Sequence, residues 1–261
     1  MSITFNPELA ARRLAHASRT GSQFESLPEQ ERPVGLTQGY AVQDTLRTML
    51  GEEVAGWKVA AANPAALRSS EFGVPLFGYL AASRIHDSGA ALPVFESGDY
   101  TIEVEIAFEI ARDVRPADDP LIFEEVVAGA FLAIEVVRSR YINRKVVGAA
   151  SFVADDSAFY AFIKGDAFSR RAQTPWLDAT VSLLRDGQPA THALSGDANT
   201  DPVESLRLFW EHAATYDISL SAGTVITTGT LIAPLDASEP GRYEGRLGAA
   251  SVWFTIGEPT N

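Results

Sequence analysis

Tyr100-Thr-Ile-Glu-Val-Glu-Ile-Ala-Phe108 and Ala128-Gly-Ala-Phe-Leu-Ala-Ile-Glu-Val-Val137 are the two most informative stretches of the chain. Both are apolar runs rich in β-branched and aromatic residues, which predicts two β-strands. Side chains alternate along a strand with a period of two, so Glu103 and Glu105 would share one face. Glu135 interrupts the second run, where a solitary charge is costly. The two stretches therefore predict a sheet that carries three acidic side chains.

A divalent metal ion is one explanation for these acids. Three carboxylates that converge on one point repel one another unless a cation neutralises them, and an all-oxygen set suits Mg²⁺ or Mn²⁺. Two simpler explanations stay open from the sequence alone. Glu103 and Glu105 would be the solvent face of a half-exposed strand, and Glu135 would form a structural ion pair with Arg138 or Arg140.

Lys58 is the basic residue that stands out. It lies in Gly56-Trp-Lys-Val-Ala60, a predicted strand with apolar neighbours. A lysine in such a place either has a lowered pKa and serves in catalysis, or extends its amine to the surface. The sequence does not decide between these two roles.

Two further polar segments have structural explanations. In Asp155-Asp156-Ser157, a short oxygen side chain would cap the N-terminus of a helix. Thr227-Thr-Gly-Thr230 follows an apparent strand and would form a plain turn. Neither segment indicates a function by itself.

The composition limits the classes of function. The chain has 261 residues, 46% of them hydrophobic, which is enough for one large domain or a main domain with a small appendage. Its net charge of −13 argues against nucleic-acid or anionic-membrane partners, since both need basic patches. The lack of cysteine excludes disulfides and thiolate metal sites. With no visible signal peptide and no apolar run long enough to span a bilayer, we expect a soluble, cytoplasmic protein.

The pattern of elements predicts an α+β fold. Helices are expected at residues 7–19, 36–50, 123–130 and 203–216, and residues 1–53 would form a small N-terminal helical region. Residues 54–261 would form the main domain, with a mixed or antiparallel sheet. Its predicted strands are Val54–Ala60, Ser83–Ile85, Thr101–Ile110, Ala128–Val137, Ala179–Arg185, Thr224–Thr228 and Ala249–Ile256.

The order of these motifs resembles the fumarylacetoacetate hydrolase superfamily, and most closely its 2-keto-4-pentenoate hydratase and 4-oxalocrotonate decarboxylase branch. The similarity runs from about residue 39 to residue 254. The segments that carry it, in order, are Gly56-Trp-Lys58, Phe72-Gly-Val-Pro-Leu-Phe-Gly-Tyr-Leu80, Glu103-Val-Glu-Ile-Ala-Phe108, Ala133-Ile-Glu-Val-Val-Arg-Ser-Arg140, Val153-Ala-Asp-Asp-Ser157, Thr228-Gly-Thr230 and Gly245-Arg-Leu-Gly-Ala-Ala-Ser-Val-Trp-Phe254.

The resemblance implies a mixed β-sheet roll with flanking helices, assembled into homo-oligomers. It also implies a site for a small 2-oxo acid. The roles implied are Mg²⁺ or Mn²⁺ ligation by Glu103, Glu105 and Glu135 and catalysis by Lys58. Beside these, we expect Asp155 to take part in catalysis and Arg138, Ser157 and Thr230 to bind substrate.

The implied reaction is the hydration of a 2-hydroxypenta-2,4-dienoate-like compound in the breakdown of aromatic compounds. A vinylogous 2-oxo acid decarboxylase and an acylpyruvate hydrolase are alternatives, and so is a catalytically silent, metal-binding partner subunit. Three departures from the family pattern bear on this choice. Leu76 stands where hydratases often carry an acid, and Ala60-Ala-Ala-Asn63 replaces more polar residues. Arg138 adds a cation that would either suit a substrate with another carboxylate or neutralise the site.

Overall fold

The computed structural model describes residues 5–95, 99–168 and 180–257. The helices are α1 (Pro7–Thr20), α2 (Leu36–Leu50), α3 (Pro64–Ser69), α4 (Phe123–Val126), α5 (Ala149–Ala154) and α6 (Pro202–Thr215). The strands are β1 (Val54–Ala60), β2 (Leu76–Ala81), β3 (Ile85–Asp87), β4 (Ala90–Leu92), β5 (Tyr100–Ile110), β6 (Val127–Val137), β7 (Phe159–Ala167), β8 (Val181–Arg185), β9 (Gln188–Pro189), β10 (Val225–Thr230), β11 (Leu235–Ala237), β12 (Gly241–Leu247) and β13 (Ala250–Ile256). None of these helices combines the length and the apolar composition needed to cross a membrane.

Two mixed sheets form the body of the protein. The larger has the order β2–β1–β10–β5–β6–β7–β3, and β11 pairs with the start of β5. The smaller has the order β4–β13–β12–β8–β9. Most pairs are antiparallel, whereas β1 with β10, β3 with β7, and β4 with β13 are parallel. This mixed architecture with flanking helices confirms the predicted α+β fold.

The main hydrophobic core lies between the two sheets. The face of β5 that carries Ile102, Val104 and Ile106 packs in one cluster with Tyr243 and Phe254 of the smaller sheet. Gly165 permits the close contact, because a Cβ there would lie 2.4 Å from the Cβ of Val252 and 2.7 Å from the carbonyl oxygen of Leu132. The opposite face of β5, which carries Glu103 and Glu105, is thereby left for the site.

The N-terminal helices have a small core of their own. Asn6 caps α1 by accepting a hydrogen bond from Glu8 N, and α2 ends at Gly51. Leu14, Val42 and Leu46 pack with Tyr141 of the main body. The predicted helices at 7–19 and 36–50 are confirmed, while the division of the chain at residue 53 stays a prediction.

Several predicted elements differ from the observed ones. The helix expected at 123–130 is wrong, since only Phe123–Val126 is helical and the chain then enters β6, where pairing with β5 outweighs local preference. The strand expected at Ser83–Ile85 is also wrong, because residues 82–84 form a 3₁₀ turn before β3. Residue 179, predicted to start a strand, lies outside the described residues. Strands β2, β4, β7, β9, β11 and β12 were not predicted from the sequence.

Candidate metal and substrate site

Strand register brings the three glutamates together. Glu103 of β5 lies directly opposite Glu135 of β6, and Glu105 lies opposite Thr230 of β10. One carboxylate oxygen from each glutamate lies within 4.8 Å of the others. Glu105 and Glu135 are buried, whereas Glu103 is partly exposed. The prediction that Glu103 and Glu105 share a face is confirmed, and the face is not the solvent side of an edge strand.

Glu105 is held rigidly by one of its two oxygens. Its Oε2 accepts hydrogen bonds from Thr227 Oγ1 and from Gly229 N, the latter at 2.8 Å. Its Oε1 is buried and has no hydrogen-bond partner among the described residues. A buried carboxylate oxygen without a donor is costly, so this atom is well suited to a cation. The Thr227–Thr230 segment is therefore not a plain turn but the end of β10 that orients Glu105.

Lys58 completes the buried cluster. It lies in β1, next to Thr227 of β10, and only 3% of its side chain is exposed. Its Nζ donates to Glu135 Oε1 and, at 3.1 Å, to the carbonyl oxygen of Ser157. The partner of Glu135 is thus Lys58, and neither Arg138 nor Arg140. The amine does not extend to the surface.

The charges of the cluster fit a divalent ion. Burial lowers the pKa of Lys58, but the carboxylates of Glu135, Glu103 and Glu105 outweigh burial and raise this pKa above its ordinary value. These carboxylates favour the ammonium form of Lys58, contrary to the lowered pKa that was one of the two expectations from the sequence. Burial raises the pKa of Glu105 well above its usual range, and Glu135 and Glu103 raise it further. A divalent cation would favour the ionised form of all three carboxylates, because its charge equals the two negative charges that they would then carry beside the Lys58 ammonium.

A left-handed turn supplies the second contact of Lys58. Asp156, Ser157 and Ala158 have φ angles of 54°, 48° and 61°, a region that residues other than glycine rarely adopt. The Asp156 carboxylate anchors the turn by accepting a hydrogen bond from Tyr79 N at 2.9 Å. A Cβ at Gly78 would lie 2.9 Å from the carbonyl oxygen of Asp156, so β2 can approach the turn only with glycine at this position.

Ser157 faces the cavity through its backbone more than through its hydroxyl. Its Oγ donates to the carbonyl oxygen of Phe77 at 3.2 Å, and its own carbonyl oxygen is the one that Lys58 contacts. The residue also lines the cavity beside Lys58. The predicted role of Ser157 in substrate binding stays a prediction.

Asp155 is engaged in a separate buried network. Its carboxylate accepts hydrogen bonds from Ser139 Oγ at 2.6 Å and from Arg140 N at 3.0 Å, and it pairs with the Arg140 guanidinium. It does not cap a helix with its side chain, so the capping explanation is wrong. These contacts favour a structural role, and the catalytic role of Asp155 stays a prediction.

Arg138 points away from the cavity. Its guanidinium lies 3.7 Å from the centre of the Phe95 ring and donates to the carbonyl oxygen of Gly21 at 2.9 Å. The strand period explains this position, because Glu135 and Val137 face the cavity and the next residue turns to the other side. The expectation that Arg138 binds substrate is therefore corrected.

A small cavity of about 100 Å³ opens beside the cluster. Its lining includes Lys58, Glu103, Ala60–Ala62, Thr230 and Arg144. The hydroxyl of Thr230 donates to the carbonyl oxygen of Ile232 at 3.0 Å, and its predicted role in substrate binding stays a prediction. Sequence reasoning missed Arg144, because one arginine in a polar loop carries no distinguishing signal.

Comparisons with known proteins give a family profile, relatives and a solved structure that this chain resembles. The profile of the family described as fumarylacetoacetate (FAA) hydrolase C-terminal matches residues 53–247. The chain is 27% identical to 2-hydroxyhexa-2,4-dienoate hydratase of Comamonas testosteroni, over 95% of this chain and 97% of that protein. It is 28% identical to 2-keto-4-pentenoate hydratase of Burkholderia vietnamiensis, over 95% and 96%. The fold is similar to that of 4-oxalocrotonate decarboxylase from Pseudomonas putida G7, complexed with magnesium and adipate, with a TM-score of 0.82, 19% identity and coverage of 96% and 97%.

Proposed function

The chain belongs to the fumarylacetoacetate hydrolase family, and on this basis we propose that it is a divalent-metal-dependent hydratase of 2-oxo-alkenoates in the breakdown of aromatic compounds. The observation that carries the proposal is the convergence of three glutamates and Lys58 beside one cavity. The hydratase relatives, which align over nearly the whole chain, support the same assignment.

Glu103, Glu105 and Glu135 would hold the ion, which we propose to be Mg²⁺ or Mn²⁺. The buried Oε1 of Glu105 and the uncompensated charge of the cluster support this assignment. A divalent ion held there would supply Lewis-acid polarisation of the carboxylate and 2-oxo oxygens of a substrate. Thr227 and Gly229 keep the Glu105 carboxylate in place before any ligand arrives, which lowers the cost of organising the site on binding.

Lys58 would carry protons at the reacting carbons. With a dienoate such as 2-hydroxypenta-2,4-dienoate, a proton moves to C5 as the enol becomes a ketone. Water then gives its oxygen to C4 while C3 gains a proton, so that one water is added overall. The ammonium of Lys58 lines the cavity and is fixed by Glu135 and Ser157, so it can donate a proton at a defined position. Its positive charge also offsets negative charge that develops on the 2-oxo acid.

A two-part experiment tests this function. Oxalate, a mimic of the planar enol form of a 2-oxo acid, is titrated by calorimetry into metal-stripped protein with and without Mg²⁺. Hydration of 2-hydroxypenta-2,4-dienoate is followed by the loss of its conjugated ultraviolet absorbance. Oxalate binding that needs Mg²⁺, together with turnover, is the expected result. Oxalate binding that needs Mg²⁺, but without turnover, would favour the silent, metal-binding partner subunit. No oxalate binding in either condition would make the glutamates structural.

Decarboxylation is the second candidate, and Leu76 favours it. This aliphatic residue is 6% exposed and pairs with Ala60, which lines the cavity, and its side chain has no group that could orient a water molecule. A vinylogous decarboxylase needs the same enolate stabilisation but releases CO₂. Coupled detection of CO₂ from 4-oxalocrotonate separates the two reactions, since a hydratase releases none.

The remaining assignments are also proposals. We propose a cytoplasmic homo-oligomer in which residues 1–53 form a helical region against the catalytic domain of residues 54–261. The separate packing of Leu14, Val42 and Leu46 supports this division. Light scattering of the purified protein would measure the oligomer, and a mass equal to a single chain would contradict it.

A further inference from the structure

We infer that the substrate carries a second carboxylate at the end remote from its 2-oxo group, and that Arg144 binds this carboxylate. The inference rests on the proposed function, since it assumes that a 2-oxo acid binds at the three glutamates. It adds a substrate class, the 2-oxo dicarboxylates, and a specificity residue that no sequence motif indicates.

Arg144 lies at the boundary between two open spaces. It lines the inner cavity together with Lys58 and Glu103, and it also lines an outer cleft together with Thr101 and Asp236. It starts a short 3₁₀ turn after β6, which Asn143 caps by accepting a hydrogen bond from Lys145 N at 3.1 Å. A ligand in the inner cavity can therefore contact Arg144.

The guanidinium of Arg144 is available for a ligand. Within residues 5–95, 99–168 and 180–257, it forms no ion pair and no side-chain hydrogen bond. The neighbouring arginines are already engaged, because Arg140 pairs with Asp155 and Arg138 packs on Phe95. Arg144 is partly buried, so water screens its charge less than that of a fully exposed side chain.

The chemistry of the lining orients a 2-oxo dicarboxylate. The 2-oxo acid end belongs at the glutamates and Lys58, where a metal ion and an ammonium group would receive it. Ala60–Ala62 and Val137 form an apolar wall that suits a short carbon chain. Among the residues that the structure describes, Arg144 is the one arginine in the lining of the inner cavity. An anionic terminus is therefore best placed at Arg144, where a planar guanidinium matches a carboxylate with two hydrogen bonds.

The contact between Arg144 and the second carboxylate also affects the choice between hydration and decarboxylation. A carboxylate that is paired with an arginine is stabilised as the anion, and this raises the barrier to its loss as CO₂. A second carboxylate held by Arg144 would therefore remain on the product. The inference thus favours hydration over decarboxylation for a dicarboxylate substrate.

Two unreactive ligands of equal chain length test the inference. Calorimetry with Mg²⁺ compares 2-oxoadipate with 2-oxohexanoate, which differ in the terminal carboxylate alone, and oxalate serves as the reference ligand. The proteins are wild type, Arg144→Gln and Lys145→Gln. Lys145 is the matched control, because it is an exposed cation that lines the outer cleft and not the inner cavity.

We expect the wild type to bind 2-oxoadipate about tenfold more tightly than 2-oxohexanoate, as a charge-assisted pair predicts. Arg144→Gln should reduce the ratio to about one while oxalate still binds with Mg²⁺, and Lys145→Gln should keep the wild-type ratio. Two results overturn the inference: equal affinities of the wild type for the two ligands, or the wild-type preference for 2-oxoadipate retained in Arg144→Gln. In either case, oxalate binding that needs Mg²⁺ still supports the proposed function. Failure of oxalate to bind with Mg²⁺ overturns the proposed function, and the inference with it.

Discussion

Glu103 and Glu135 face each other as direct partners in the antiparallel ladder between β5 and β6. Like charges in this arrangement destabilise a sheet. Lys58 offsets part of the repulsion through Glu135, but Glu105 adds a third carboxylate within 4.8 Å. The ligand-free fold therefore keeps an electrostatic strain that a bound cation would relieve. Metal affinity and thermal stability should consequently be linked in this protein.

Glu135→Gln should weaken Mg²⁺ binding by about 100-fold, because one of three carboxylates is lost while the amide oxygen still accepts a hydrogen bond from Lys58. Mg²⁺ should raise the melting temperature of the wild type and have little effect on the variant. Calorimetry and thermal unfolding measure the two effects. Glu109→Gln is the control, since Glu109 lies on the same strand and pairs with Lys164 outside the cluster. Unchanged affinity in Glu135→Gln would remove Glu135 from the ligand set.

Thr227→Val should weaken Mg²⁺ binding by about tenfold, because Glu105 loses the hydroxyl that orients its Oε2. Thr228→Val is a close control. Thr228 is buried on the same strand, but its hydroxyl donates to the carbonyl oxygen of Ile106 at 2.8 Å. Both variants should lose about 1 kcal/mol of unfolding free energy in urea. Equal metal affinity in the two variants would contradict a positioning role for Thr227.

Lys58→Met should keep Mg²⁺ binding and lower kcat by about 10³-fold, the usual range for a group that transfers protons. Methionine occupies the space of the lysine's aliphatic chain but cannot supply a proton, and the Glu135 carboxylate becomes free to bind the metal. Dienoate turnover and metal calorimetry are measured on the same sample. Lys164→Met, which removes a surface pair with Glu109, should leave both unchanged. Retained turnover in Lys58→Met would make the lysine structural.

Asp155→Asn should destabilise the fold by about 3 kcal/mol, because Arg140 is left buried without its counter-ion. Urea unfolding measures this loss. Turnover by the fraction that remains folded separates structure from catalysis. A stable variant whose kcat nevertheless falls by a factor of 100 or more would restore the catalytic role predicted for Asp155.

His212 should make the protein sensitive to acid. It stacks on Phe77 with 4.0 Å between ring centroids, and burial lowers the pKa of His212 to about 4. The unfolded chain, in which the pKa is about 6.5, therefore binds more protons between these values. Stability is lost as the pH falls below about 6.5, by up to about 3 kcal/mol near pH 4. His212→Phe should show a shallower decline of the unfolding free energy across this window, and an unchanged slope would contradict the assignment.

Local sequence patterns predicted the elements that depend on local properties. The boundaries of α2 and β1 agree with the prediction at both ends, because Gly51 ends the helix and a β-branched, aromatic run forms the strand. The shared face of Glu103 and Glu105 also follows from the period of a strand. The ligand set, by contrast, depends on which strands pair and in what register, and no local pattern specifies that Glu103 meets Glu135.

The errors at Arg138 and Arg144 have a physical reason. Proximity in sequence to Glu135 made Arg138 a candidate, but a strand turns successive side chains to opposite faces. Arg144 reaches the cavity because the chain turns back after β6, and long-range packing sets this path. The left-handed turn was equally hidden, since Asp156, Ser157 and Ala158 include no glycine that would signal it.

This left-handed turn ties activity to the completion of folding. No short segment of the chain would hold three such residues in this conformation by itself. The turn depends on the hydrogen bond from Tyr79 N of β2 and on the close approach that the missing side chain of Gly78 permits. The carbonyl group of Ser157 therefore reaches Lys58 only after strands distant in sequence have assembled. A partly folded chain would contain every catalytic side chain and still lack an oriented proton donor, so catalysis should emerge late, as a property of the finished tertiary structure.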